Sequence, residues 1–127
     1  MDYIFLISRI LFGGYFVVSG WNHLRHSDML SGYAASKKVT SPKAMVIISG
    51  LMILLGGLGL VLGVWVGISV LLIVLFLIPV TFIMHNYWAA TDPSAKMSDK
   101  VAFMKNMALI GAALAFLAVA MPWPFSL

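Results

Sequence analysis

The 127-residue chain contains no cysteine, eight lysines and arginines, four acidic residues and only 9% charged residues in all. Without cysteine it can carry no dithiol–disulfide chemistry of its own, which excludes the four-helix membrane thiol oxidoreductases. A soluble domain has about 25% charged residues, so this chain lacks the polar surface to cover itself in water. That excludes a cytoplasmic globular enzyme. The 62% hydrophobic content and mean hydropathy of +1.04 equally exclude a disordered chain.

What the chain has instead is long apolar runs. A membrane-crossing helix takes about 20 apolar residues, and the length accommodates four of them with short connections. The expected fold is all-α: a single transmembrane domain over 1–127, an integral membrane four-helix bundle with spans near 3–24, 43–63, 65–88 and 99–121. The first run carries Arg9 inside it and ends in SGWNHL, which reads as a retained helix rather than a cleaved signal. Ser41-Pro42 offers a cap and a first-turn proline for the second run. The third follows almost without a connection, is interrupted by Pro79, and should kink there. The fourth apolar run starts at Val101 and stops before Pro122 and Pro124, with Trp123 placed for a membrane interface.

Basic residues fall between the spans. The first connection has Arg25, Lys37, Lys38 and Lys43, the third has Lys96 and Lys100, and the second connection and C-terminal tail have none. By the positive-inside rule the first and third connections are cytoplasmic and both termini lie outside. The excess of positive charge, +4 overall, is thus topological and implies no nucleic-acid partner. Within the first connection, Met29, Leu30, Tyr33 and Ala34 fall on one side of a short helix starting at Ser27. It is expected to lie in the headgroup layer.

Polar residues inside apolar spans need a reason, because an ionised side chain there costs roughly 2.5–3.5 kcal/mol on insertion scales. Arg9 shares a helix face with Gly13, Phe16, Gly20 and His23. It either snorkels to the outer headgroups or faces the bundle and binds an anion, the candidates being Asp2, the C-terminal carboxylate or a ligand. The glycines beside it favour the inward reading. At the opposite end, Asn22, His23, His85, Asn86, Trp88, Lys105 and Asn106 lie near one boundary, and Thr81, His85 and Trp88 share a face of the third span. The candidate ligand-binding residues are therefore Arg9, Asn22, His23, Thr81, His85, Trp88, Lys105 and Asn106. No catalytic constellation can be assembled from them. No metal site is expected, since the three histidines lack a carboxylate or cysteine partner within the membrane. A haem held by His23 and His85 has no other support. Gly56, Gly57, Gly59 and Gly63, and a stripe of Ala108, Gly111, Ala115 and Ala118, are small faces for packing within the bundle or in a homo-oligomer.

Arg9, then Ser19-Gly20 with a polar residue three further on, a glycine-rich second helix, MHNYW closing the third and FMKNMALIGAAL opening the fourth together resemble the DoxX family. The resemblance implies four transmembrane helices in a bacterial inner membrane. It also implies an accessory or quinone-associating subunit beside a redox partner protein, with quinone as the one cofactor it brings forward. His85, Trp88, Lys105 and Asn106 would then surround a quinone head or lipid headgroup, with His23 as a proton donor. Two departures stand out. Members often have lysine at the position of His23, and an acidic residue in the second helix where this chain has Ile53. No span contains Asp or Glu, which argues against direct proton-coupled chemistry and against the small multidrug exporters. The alternatives are a non-catalytic membrane scaffold or assembly factor, and a small-anion transporter using Arg9.

Overall fold

The computed structural model describes residues 1–127 and is all-helical. Helix α1 runs Asp2–Arg25, a short α2 Ser27–Ser36, α3 Pro42–Leu62, α4 Val66–Met84 and α5 Pro93–Ala115. A single 3₁₀ turn, Tyr87–Ala89, precedes α5, and another, Phe116–Ala118, follows it. Four helices are long and apolar enough to cross a membrane. At 1.5 Å per residue, the 21 residues of α3 extend about 31 Å, close to a ~30 Å hydrocarbon core.

Some ends differ from what the apolar runs suggest. The fourth helix begins at Pro93, well before Val101, because the Asp92 carboxylate accepts the Ala95 N–H at 2.9 Å and Pro93 takes the first helical position. Lys96, Asp99 and Lys100 therefore lie on helix rather than in a loop. At the other end regular helix stops at Ala115. Ser41 precedes α3 in a left-handed conformation, φ 47°, and its side chain makes no cap bond.

Two kinds of seam hold the bundle. Helices α1 and α3 meet antiparallel through glycine: a Cβ on Gly13 would lie 2.7 Å from the Gly57 carbonyl oxygen, and one on Gly20 would lie 2.6 Å from that of Gly50. Nothing but hydrogen fits there, so backbone meets backbone. On its other side α3 presents Gly56 and Gly59 to Ser69 of α4. The α3 glycines are thus spent inside the bundle, not in an oligomer contact. The seam between α1 and the segment after α5 is filled by aromatic rings, among them Phe5 against Phe116 and Trp123, and Phe12 against Phe116 and its α1 neighbour Phe16. Ile53, Leu60, Ile73 and Leu77 complete a fully buried core between α3 and α4. The stripe of Ala108, Gly111, Ala115 and Ala118 is exposed.

Helix α2 lies across one end of the bundle, separated from α1 by His26 alone and packed mainly on α3. Ala34 is buried and Leu30 half-buried, while Met29 stays exposed. The apolar side is thus narrower than the four residues expected.

Candidate functional site

Arg9 is completely buried, so it faces the bundle and does not snorkel. Its partners are backbone carbonyls. Nε donates to Leu60 O at 3.2 Å, one terminal nitrogen to Val61 O at 2.8 Å and Phe125 O at 3.4 Å, and the other to Pro124 O. The last four carbonyls of a helix have no partner within it. In α3, Gly63 and Val64 N–H groups take Gly59 O, Arg9 takes Leu60 and Val61, and the Leu127 N–H takes Leu62 O. The guanidinium also lies 5.4 Å from the Trp123 ring centre and 5.7 Å from that of Phe5. A cation at a helix C-terminus suits the negative end of the dipole. Arg9 is accordingly a structural clasp joining α1, the end of α3 and the C-terminal tail, with four of its five N–H donors given to carbonyls.

The polar residues expected at one mouth are dispersed over several places. Thr81 is buried and donates to its own helix, at Leu77 O. Helix α4 ends at Met84, so Thr81, His85 and Trp88 do not continue along one face. Trp88 is exposed and packs its edge on Phe103, near Phe82 and Tyr87. Lys105 donates to the Tyr15 hydroxyl at 3.2 Å across the α1–α5 seam. Asn106 is buried on α5, and Asn22 is exposed.

Two features do gather. The first is a polar cluster of Lys37, His85, Asn86 and Asp99. Lys37 Nζ lies 3.2 Å from Asp99 Oδ2 and donates to Asn86 Oδ1 at 3.0 Å, while His85 Nδ1 is 3.5 Å from Asp99 Oδ1. It ties the loop after α2 to the ends of α4 and α5, and it puts the first and third connections at the same end of the bundle. Asp99 was missed among the candidate residues because it sat at the edge of the fourth span, ahead of the apolar run from Val101, and Lys37 because it lay in the first connection. The Asp92-Pro93 helix start was the signal that places Asp99 on α5.

The second feature is a cavity of about 270 Å³ enclosed by α2, α3, α4 and the end of α1. Small-molecule pockets begin near ~300 Å³, so it takes a ring or headgroup rather than a whole lipid. Its wall is apolar, including Leu30, Val46, Met52 and Phe76, with Pro79 in the wall from α4. At its rim Met45, Ile48, Leu75 and Ile83 are exposed, so it opens sideways between the helices. His23 lines it. The His23 Nδ1 contacts Ser19 O at 2.8 Å. A carbonyl can only accept, so Nδ1 bears the hydrogen and donates it to Ser19 O, which leaves Nε2 as the nitrogen without a partner. No buried side-chain nitrogen or oxygen lacks a partner, so Nε2 keeps accessible surface. The edge-on ring of Phe76, 5.6 Å away between centres, holds the imidazole in place.

The family model for DoxX matches residues 4–86. The chain belongs to the DoxX family. The matched stretch takes in Arg9, His23 and every residue lining the apolar cavity, and ends at Asn86, before α5 with Lys105 and Asn106. No curated protein and no solved structure matches the chain. It is a DoxX-family membrane protein with four spanning helices.

Proposed function

We propose that this DoxX-family protein is an accessory membrane subunit that holds the ring of a quinone in the apolar cavity beside His23 and works with a redox partner protein. The observation that carries the reading is the cavity itself: apolar walls, a lateral opening, and one hydrogen-bonding imidazole with a free nitrogen. A quinone supplies reversible two-electron chemistry when bound. The protein's part is to take up the ring between apolar walls and hold a hydrogen bond at Nε2 of His23. In its neutral form that nitrogen accepts from a hydroquinone hydroxyl; protonated, it donates to a quinone oxygen. The lysine-bearing connections share one end of the bundle, which supports a bacterial inner-membrane topology with both termini outside the cytoplasm.

Purified protein extracted with solvent and analysed by mass spectrometry tests this. Quinone should co-purify, and His23→Ala should lower its amount about tenfold, the equivalent of one hydrogen bond of roughly 1–1.5 kcal/mol. Alanine keeps the His23 Cβ that packs against Gly50, so the fold should survive. Quinone-free wild-type protein would refute the reading. The scaffold alternative would then stand, favoured by the exposed face of Ala108, Gly111, Ala115 and Ala118. Arg9, already engaged by four carbonyls, lends no support to anion transport.

A further inference from the structure

A second cavity, of about 300 Å³, lies at the C-terminal end of α2 and is lined by Ser36, Lys37, Lys38, Asn86, Ala89 and Ala90. It is polar where the first is apolar, and the carboxylate beside it, Asp99, is paired with Lys37 at 3.2 Å. Lys37 has two of its three ammonium hydrogens engaged, by Asn86 Oδ1 and Asp99 Oδ2, and the third remains. Since Asn86 accepts through Oδ1, its amide NH₂ is available to donate. Lys38 has no anionic partner.

The backbone adds an independent observation. Lys38 has φ 63°, a left-handed conformation, at the position after a helix where glycine is usual. Around it the Lys38 N–H bonds Ala35 O at 2.9 Å and the Val39 N–H bonds Ala34 O at 3.2 Å, so the α2 carbonyls are closed as they would be with glycine. A side chain at this site strains the turn without helping the fold. What lysine adds there is an ammonium at the edge of the cavity.

We infer that this pocket binds a phosphate group in the plane of the lipid headgroups, held by the Lys37 and Lys38 ammonium groups and the Asn86 amide. Three donors lining one cavity, with net positive charge even after Asp99 is set against Lys37, suit a phosphate mono- or diester. The inference does not depend on the quinone reading, since it uses a different cavity with no residue in common. The ligand is a phospholipid headgroup or a free phosphate ion, which share this chemistry.

Native mass spectrometry of the detergent-purified protein, incubated with phosphatidylglycerol or phosphatidylcholine, tests it. Phosphatidylglycerol should be retained over phosphatidylcholine, and Lys38→Gly should lower that preference about fivefold, as expected for one lysine near an anionic headgroup. Glycine relieves the turn, so its Tm should be no lower than that of the wild type. The control is Lys96→Gln, on the exposed first turn of α5 outside the pocket, which should leave the preference unchanged. Equal retention of the two lipids, no effect of Lys38→Gly, or an equal effect of Lys96→Gln would each overturn the inference. Challenge with inorganic phosphate then separates the sources: displacement of the lipid assigns the pocket to a free ion, and retention assigns it to the headgroup.

Discussion

Replacing Arg9 tests the clasp most directly. Arg9→Leu removes the donors from Leu60 and Val61, two carbonyls at the end of α3 with no other partner, and frees the tail at Pro124 and Phe125. An unpaired buried carbonyl costs about 1–3 kcal/mol. Removing the buried charge offsets part of that loss, leaving roughly 3 kcal/mol of destabilisation. Arg9→Lys should do comparable harm by another route. An ammonium has three donors on a point and cannot reproduce a planar fork that reaches four oxygens from two segments. Either loss corresponds to roughly 10 °C in Tm for a chain of this size, measurable by differential scanning fluorimetry in a fixed detergent. An unchanged Tm for Arg9→Lys would refute the clasp, because a flexible amine satisfies headgroups as well as a guanidinium does. Ile53→Glu provides a further check. Ile53 is fully buried and lies seven residues before Leu60, about 10 Å along the helix. A glutamate there is out of reach of Arg9 and should destabilise the bundle rather than complete an ion pair.

Gly57→Ala and Gly20→Ala should each lower Tm strongly, since the new Cβ would press on the opposite backbone, whereas Gly14→Ala and Gly111→Ala, with nothing within 4 Å, should be neutral or stabilising by up to ~1 kcal/mol in the same assay. Lys43 donates to Asp28 at 2.7 Å and holds its carboxyl below the ordinary carboxylate range. A depressed value stabilises the folded state above the unfolded pKa and is lost as pH falls through the folded one. The pair is exposed, so the Tm of Asp28→Asn should match the wild type in strong acid and differ from it barely, if at all, at neutral pH; a large gap at neutral pH would contradict this. Single cysteines introduced at Thr91 and Leu127 should label from opposite sides of the membrane, with Leu127→Cys reacting in intact cells; labelling only after permeabilisation would invert the topology.

Much of the architecture was legible because apolar length alone dictates it. Four runs of about 20 residues imply a four-helix bundle, and the Ser27–Ser36 helix followed from Met29, Leu30, Tyr33 and Ala34 on one side, of which Met29 and Tyr33 stay exposed. The inward direction of Arg9 was legible too, from the glycines on its face. Its partners were not. Leu60 and Val61 are 51 and 52 residues away, and Pro124 and Phe125 are 115 and 116, and backbone acceptors carry no signature in sequence. The shared face read for Thr81, His85 and Trp88 assumed a helix that continues past Met84. Once α4 ends there, equal spacing no longer means a shared face. The Lys37–Asp99 pair was hidden for the complementary reason, since a helix cap at Asp92 extends α5 through residues that look like a polar loop.

The clasp at Arg9 also has a consequence for the order in which the molecule is made. The first helix enters the membrane carrying an ionised side chain and has the lowest hydropathy of the four, 1.6. Half of the carbonyls that receive that charge belong to α3, synthesised later, and the other half to Pro124 and Phe125, synthesised later still. Until then α1 must keep its guanidinium near water or tilt to reach it. Helix α1 therefore reaches its final depth only after segments translated later are in place. A chain truncated after Met121 should hold Arg9 by two carbonyls instead of four, with α1 still responsive to changes in bilayer thickness to which the chain with Pro124 and Phe125 is indifferent.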